Sequence, residues 1–153
     1  MPPTGGETGR RNTPITTQLE NWSSQNNLGV VFDSSTCFNL PNGADRSPDA
    51  AWVKRERWHM LTPEPKKKFP SICPDFVVKL HFTTDSIEKL REKMREYLAN
   101  GCYLGWLIDP QTQQVDIYRP SQDVEVLQSP ATLSGEDVLP EFALNLQPIM
   151  FLD

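Results

Sequence analysis

The spacing of apolar residues along the chain predicts two helices of several turns. Apolar side chains recur at intervals of four and three over residues 14–26, where Pro14 suits the first turn of a helix. A second amphipathic stripe predicts a helix over residues 85–101. Asp85 and Glu88 have the spacing of a capping box at the start of this second helix.

Short apolar or alternating runs predict strands, and they cover residues 28–34, 48–53, 74–80, 102–109, 115–118 and 124–127. The run at 74–80 is continuously apolar over three residues, as in a central strand covered on both faces. Asn42-Gly43 marks a turn, and the charged, proline-rich segment 54–73 predicts a helical turn near 55–60 followed by a surface loop. The tail over 133–146 is expected to be a loop with apolar anchors.

The order helix, strands, helix, strands predicts an α/β (α+β) fold with a mixed central sheet flanked by helices. The 153 residues are 37% hydrophobic and include 14 prolines, which fits one domain with many loops. We expect a loop-like N-terminus over residues 1–13 and a single domain over residues 14–153.

Charge and cysteine usage narrow the class of protein. A net charge of −5 argues against bulk nucleic-acid binding but leaves room for a local basic patch at a site. The three cysteines form no CxxC pair, so we expect buried thiols in a reducing cytoplasm and no zinc site. No apolar run approaches the ~20 residues that a membrane span needs.

Two Pro-Asp dipeptides, Pro48-Asp49 and Pro74-Asp75, stand at the starts of predicted strands. An aspartate at the mouth of a strand can direct a carboxylate at Mg²⁺, and phosphodiester cleavage uses such an ion to polarise phosphate and activate water. A nearby lysine would stabilise the developing charge. The alternative is structural, because Pro-Asp is also a common turn or cap pair.

Strand geometry limits which groups could share an ion. Positions 75 and 79 face the same side of a strand but lie roughly 13 Å apart, so a second ligand must come from a neighbouring strand. Asp49 is the natural candidate, and antiparallel pairing of the two strands would place it near Lys79. Lys79 either meets a carboxylate or faces a cleft, or it is an exposed residue on a half-open sheet.

Lys93 lies at the edge of the apolar stripe on the second predicted helix. From there it could lean over the sheet and act as the lysine of a nuclease site. It could equally be a solvated lysine paired with Glu92 or Glu96. No serine or cysteine triad, phosphate-binding glycine loop or paired-histidine motif is present.

Several segments together resemble the Uma-two family of restriction-endonuclease-like proteins, which is numerous in cyanobacteria. They are PTGGETG, LGVVFDSSTCFNLPNGADRSPDAAWV, CPDFVVKLHFTTDSIEKLREKMREYLANGCYLGWLIDPQTQQVDIYRP and LSGEDVLPEFALNL. The resemblance covers about residues 3–152. It implies a PD-(D/E)xK nuclease fold, dependence on Mg²⁺ (or Mn²⁺), DNA as the partner, and a homodimer.

The resemblance also assigns roles to individual residues. Asp49 and Asp75 match the aspartates of the family's two Pro-Asp strands, which makes both candidate metal ligands. Lys93 matches a lysine on the following helix. Lys79 stands where the family has a glutamate, and a cation there would repel magnesium.

Two further departures concern Phe82-Thr83, where the family has Ser-Pro, and an N-terminal helix and hairpin of the family that are absent from this sequence. We therefore expect a shortened copy of the fold.

Three functions stay open on this basis. The first is a metal-dependent endonuclease that hydrolyses DNA phosphodiesters with Asp49, Asp75, Lys93 and the residue at position 79. The second is a non-catalytic nuclease-fold protein that binds nucleic acid or protein, with Lys79 paired to Asp49 in place of the metal. The third is a structural or dimerisation domain without affinity for nucleic acid.

Overall fold

A mixed six-stranded sheet forms the centre of the protein, whose computed structural model describes residues 5–62, 68–82 and 84–151. The helices are α1 (Gly6–Asn26), α2 (Arg55–His59), α3 (Ile87–Ala99) and α4 (Gln147–Met150). The strands are β1 (Gly29–Phe32), β2 (Phe38–Asn39), β3 (Asp45–Arg46), β4 (Ala50–Lys54), β5 (Phe76–Leu80), β6 (Leu104–Asp109), β7 (Gln114–Tyr118), β8 (Glu125–Gln128), β9 (Thr132–Ser134) and β10 (Ala143–Asn145).

The sheet has the strand order β1-β4-β5-β6-β7-β8, and β5 and β6 are its one parallel pair among the described strands. Parallel neighbours require a crossover, and α3 supplies it between β5 and β6. All other neighbours in the sheet are antiparallel. The hairpins β2–β3 and β9–β10 form two small separate sheets. This arrangement confirms the predicted α/β (α+β) class with a mixed central sheet.

A hydrophobic layer covers each face of the sheet. On one face α1, β10 and α4 pack over a layer that includes Trp52, Phe76 and Trp106. The rings of Phe76 and Trp106 meet edge to face, with their centroids 4.7 Å apart. On the other face α3 packs over β5 and β6 through Met94 and Tyr97. Burial on both faces explains why the sequence of β5 is apolar without strict alternation.

The first helix begins eight residues earlier than the apolar spacing predicted. The helix starts at Gly6, so the loop expected over 1–13 is wrong for residues 6–13, and Pro14 lies inside the helix instead of its first turn. Tertiary contacts hold the extra turns, because Arg11 is buried and donates to the carbonyl of Ile149 and, at 3.2 Å, to that of Met150. Residues 1–4 lie outside the described part of the chain.

The second helix confirms the predicted position with a different cap. Ser86, not Asp85, is the N-cap, and its hydroxyl accepts the Lys89 N–H at 3.4 Å. The helix ends at the predicted place, where Gly101 has φ +109°.

The six predicted strands are confirmed with shifts of up to two residues at their ends, and the helical turn near 55–60 is α2. The loop prediction for residues 133–146 is wrong in part, because most of β9 and all of β10 lie there. The predicted surface loop falls partly on residues 63–67, which lie outside the described part of the chain. Thr83, one of the two residues that replace the family's Ser-Pro, also lies outside it.

The three cysteines differ in burial. Cys73 and Cys102 are buried as expected, whereas Cys37 is half-buried, and all three are free thiols. Burial raises the pKa of the Cys73 thiol to about 12, which keeps it protonated at neutral pH.

Within the described residues, no helix combines the length and apolar character that a membrane crossing requires.

Candidate functional site at the ends of strands β4 and β5

The structure places Asp49 and Asp75 at opposite ends of the β4–β5 pair. The two strands are antiparallel, with Ala50 opposite Val78 and Trp52 opposite Phe76. This register sets Asp49 beside Lys79, and it sets Asp75 four residues away from that position along β5. Four residues of strand span about 13 Å. The expectation that the two carboxylates hold one ion therefore conflicts with the geometry, since both cannot reach one Mg²⁺ at ~2.1 Å.

Each of the two aspartates closes one end of the same hydrogen-bond ladder. Asp49 donates its N–H to the Val78 carbonyl at 2.9 Å, and its Oδ2 accepts the Leu80 N–H at 2.7 Å. Asp75 makes the equivalent pair of bonds at the other end, donating to the Trp52 carbonyl at 3.0 Å and accepting the Lys54 N–H at 2.8 Å. The carboxylates thus satisfy N–H groups that would otherwise lack a partner where the strands end. This is a structural reason for both Pro-Asp dipeptides.

The surroundings of Asp49 include one cation and one amide. Lys79 Nζ lies 3.7 Å from Asp49 Oδ2, and Asn12 Nδ2 lies 3.5 Å from Oδ1. Asp49 is 6% exposed, and this burial raises the pKa of its carboxyl group. The charge of Lys79 and the hydrogen bonds from Leu80, Asn12 and Lys79 act in the opposite direction without cancelling the effect of burial.

Lys79 contacts the carboxylate of Asp49, as expected if it is not simply an exposed residue on a half-open sheet. Its side chain is 28% exposed, so the ammonium contacts Asp49 and solvent. The hydrocarbon stem of a lysine can cover apolar surface while its charged end stays hydrated, which accounts for a lysine between Val78 and Leu80.

Lys93 belongs to a second group of charges on α3, where it is exposed. Glu96 lies between Lys93 and β3, forming an ion pair with Arg46 and accepting a hydrogen bond from Asn42 at 3.1 Å. Burial raises the pKa of the Glu96 carboxyl, but the bonds from Arg46 and Asn42 and the charges of Arg46 and Lys93 outweigh it and leave the pKa below its usual value. Lys93 is thus an exposed lysine whose charge acts on Glu96, and its role in catalysis stays a prediction.

The donor atoms around Asp49 do not fit a divalent cation. Asp49 supplies a single carboxylate, and the ammonium of Lys79 lies against it. No group of three or more histidine, cysteine, aspartate or glutamate side chains suited to a metal occurs within residues 5–62, 68–82 and 84–151. Asn12 Oδ1 is the one further oxygen near Asp49 that could act as a ligand, because within the described residues it is buried and has no hydrogen-bond partner. One carboxylate and one amide oxygen make a weak site for Mg²⁺.

Sequence reasoning missed Asn12 and Arg57. Asn12 reaches Asp49 because α1 begins before Pro14, which the apolar spacing did not indicate. Arg57 projects from α2 and lies with Nη1 2.8 Å from Asp75 Oδ2. The charged segment after β4 was visible in the sequence, but no pattern there distinguished Arg57 from its charged neighbours.

Comparisons with known proteins agree with this fold. A family model described as "Uma2: Putative restriction endonuclease" matches residues 1–147. A solved structure from Anabaena variabilis ATCC 29413, described as "a putative nuclease belonging to DUF820", superposes with a TM-score of 0.80 at 20% sequence identity. The alignment covers 97% of this chain and 83% of the other. No curated protein matches the chain.

The family model spans nearly the whole sequence, and the TM-score of 0.80 shows that the solved structure shares the fold. The chain therefore belongs to the Uma2 family of restriction-endonuclease-like proteins.

Proposed function

We propose that this protein binds nucleic acid through the end of the sheet that carries Asp49 and Lys79, and that it lacks the endonuclease activity that the description of its family names. The single observation that carries the proposal is the ion pair between these two residues, 3.7 Å apart. An ammonium group at the carboxylate supplies the positive charge that a divalent cation would otherwise bring. A lysine cannot polarise a phosphate or activate water as a bound metal ion does.

Lys79 offers a cation to a phosphate group at this end of the sheet. Its side chain is 28% exposed. Phosphate contacts from lysine and arginine account for most non-specific binding to nucleic acid. Because the whole chain carries a net charge of −5, we expect binding to be confined to this local patch.

Metal-dependent cleavage of DNA is the second candidate, and Asn12 is the observation that favours it. Its buried, unpartnered Oδ1 lies in the same side chain whose Nδ2 is 3.5 Å from Asp49. If Lys79 withdrew from Asp49, these oxygens would be the ligands available to Mg²⁺ or Mn²⁺. Asp75 has no part in such a site, since it lies at the other end of β4 and β5.

Cleavage of supercoiled plasmid with Mg²⁺ or Mn²⁺ distinguishes the two candidates. We expect no nicking by the natural protein and restored metal binding in the Lys79→Glu variant, because that change places two carboxylates side by side. The matched control is Lys89→Glu, which makes the same charge change on the exposed surface of α3. Nicking by the natural protein, absent in an Asp49→Asn variant, would overturn the loss of cleavage.

Binding is measured separately, by fluorescence anisotropy of labelled single- and double-stranded oligonucleotides in the presence of EDTA. We expect affinity to fall with salt, and the Lys79→Ala variant to reduce the slope of log K against log salt by about one, as loss of one phosphate contact predicts. Phosphate contacts are strong at low salt, so absence of binding at about 20 to 50 mM salt would leave only a structural role. Light scattering at several protein concentrations tests the homodimer, which stays a prediction.

A further inference from the structure

A cavity of about 650 Å³ lies at the opposite end of β4 and β5 from Asp49. Its apolar wall consists of Leu28, Trp52, Tyr103, Val138 and Pro140. Leu28 and Tyr103 are 42% and 56% exposed, so two large apolar side chains face solvent at the same opening. A volume of this size is within the range of cavities that hold small molecules.

Hydrogen bonds from three directions hold the walls of this cavity in place. Asp75 is 3% exposed, and its carboxylate accepts the Lys54 N–H and contacts Arg57. Its carbonyl accepts the Tyr103 N–H at 2.9 Å, which fixes the backbone beneath the tyrosine. Pro140 is tied to α1, because its carbonyl accepts the Trp22 indole N–H at 2.8 Å. The cavity is therefore preformed, which lowers the entropic cost of binding a ligand.

Trp52 lines the cavity with part of its ring, while its indole N–H is buried against β1. Trp52 is 3% exposed, and its Nε1 has no hydrogen-bond partner in the described residues. The indole lies directly against β1, where a Cβ on Gly29 would come within 2.4 Å of Nε1, so glycine is needed for this approach. The ring edge that lines the cavity, and not the N–H, is therefore the part of Trp52 that a ligand can contact.

The charges of the cavity limit the kind of ligand. Three carboxylates and two cations line it: Glu56, Asp75, Asp137, Lys54 and Arg57. Arg57 is paired with Asp75, so Lys54 is the lining cation that remains, and the carboxylates of Glu56 and Asp137 outnumber it. The lining favours a neutral molecule with an apolar flat body and with N–H donors for the carboxylates of Glu56 and Asp137.

We propose that this cavity binds a neutral nitrogen heterocycle of the nucleobase class, either as a free nucleoside or as an unstacked base of a nucleic-acid strand. Such a ring stacks on aromatic and apolar side chains through its faces and offers N–H donors at its edge. The site is separate from the proposed phosphate contacts of Lys79, since the two lie at different ends of the strands.

Titration of ¹⁵N-labelled protein with adenosine, guanosine, cytidine and uridine tests this proposal. We expect the Trp52 indole N–H resonance to shift in a saturable way with at least one nucleoside. Trp106 is the internal control, because its buried Nε1 also lacks a partner but its side chain does not line the cavity. The corresponding nucleoside triphosphate is expected to bind more weakly than the nucleoside, because the cavity holds more carboxylates than cations.

Two variants at the mouth of the cavity complete the test. Tyr103→Ser is expected to weaken the nucleoside about tenfold, the amount that loss of one stacking side chain predicts. Phe69→Ser is the matched control, since Phe69 is 55% exposed and does not line the cavity. If an oligonucleotide shifts the same resonance and a nucleoside displaces it, the natural ligand is a base of a strand. If the oligonucleotide has no effect, it is a free nucleoside.

The proposal is overturned if no nucleoside shifts the Trp52 resonance, if Trp106 shifts equally, or if Tyr103→Ser and Phe69→Ser bind alike. These results are independent of plasmid cleavage and of the salt-dependent binding at Lys79. Failure at one end of the sheet can therefore be told apart from failure at the other.

Discussion

The two ends of the β4–β5 pair carry the same dipeptide and the same backbone bonds, but their side-chain partners differ. At each end an aspartate after a proline accepts an N–H of the opposite strand, from Leu80 at 2.7 Å and from Lys54 at 2.8 Å. Asp49 then meets Lys79 of β5 at 3.7 Å, whereas Asp75 meets Arg57 of α2 at 2.8 Å. A repeated motif can therefore have one structural role while its neighbours decide what chemistry each copy could support.

The two ends also differ in their surroundings, since one carries an ion pair among polar groups and the other opens into a cavity. Next to Asp49 the neighbouring groups are polar, and burial raises the pKa of its carboxyl. Next to Asp75 the wall is largely apolar, with Trp52 and Tyr103 beside the ion pair. We infer that phosphate suits the first end and a neutral ring the second, which is why the two proposals need different probes.

Removal of the Asp75 carboxylate is expected to have the largest effect on stability. Asp75→Ala leaves the Lys54 N–H without its acceptor and Arg57 without its partner, which should lower the free energy of unfolding by about 4 kcal/mol. Urea denaturation measures the change. Asp75→Asn keeps an acceptor oxygen and should cost about half as much. A loss below about 1 kcal/mol for the alanine variant would contradict the closing role of this carboxylate.

The equivalent change at the other end should cost less. Asp49→Ala removes the acceptor of the Leu80 N–H, but its ion pair is longer, and the raised pKa shows that burial already disfavours the charged carboxylate. We expect a loss of about 2 kcal/mol in the same urea experiment. A cost equal to that of Asp75→Ala would mean that the Lys79 contact is as strong as the Arg57 contact.

The pH dependence of stability provides a finer test of Asp49. Its pKa in the folded protein lies above the usual value of 3.8, so the folded state keeps a proton that the unfolded state has lost. The natural protein should therefore lose stability from this group as pH rises from 3.8 through the folded pKa. An Asp49→Asn variant lacks that loss, so its stability relative to the natural protein should increase over the same range.

Glu96→Gln is the control with the opposite sign. The lowered pKa of Glu96 adds stability that is present above its usual value of 4.5 and is lost as pH falls. The glutamine variant should therefore become less stable relative to the natural protein as pH rises into that range. Denaturation at intervals between pH 3 and 7, roughly the range in which carboxyl groups titrate, distinguishes the two trends. Parallel trends would contradict the opposite shifts.

The smallest expected effect is that of Tyr103→Ser on stability. Tyr103 is 56% exposed, so its replacement should change the free energy of unfolding by less than about 0.5 kcal/mol. Thermal and urea denaturation check this value. A larger loss would mean that Tyr103 holds the end of β6 in place, and weaker nucleoside binding by the variant would then have to be measured against its folded fraction.

Much of the fold followed from the sequence because its elements have strong local patterns. The apolar run of β5, the amphipathic stripe of α3 and the Asn100-Gly101 stop are each fixed by a few adjacent residues. The start of α1 was missed because its first turns are polar and depend on contacts with α4, more than 130 residues later in the chain. The β9–β10 hairpin was missed because each strand has only three residues.

The candidate site was partly predictable for the same reason. Antiparallel pairing of two recognisable strands was enough to bring Asp49 and Lys79 together, and the register confirms that placement. Asn12 and Arg57 could not be identified in this way, because their partners Asp49 and Asp75 belong to other elements. The proposed roles of Asp49, Asp75, Lys79 and Lys93 in catalysis stay predictions.

The sequence by itself determined the mixed α/β class, the order of most elements, the family and the presence of two aspartates at strand starts, since these depend on local spacing and residue type. The tertiary structure alone decided that the two strands pair in this register and that Asn12 and Arg57 reach Asp49 and Asp75 from other elements. Side chains meet through the register and packing of distant segments, and residues far apart in the chain carry no mark of the partner they will contact.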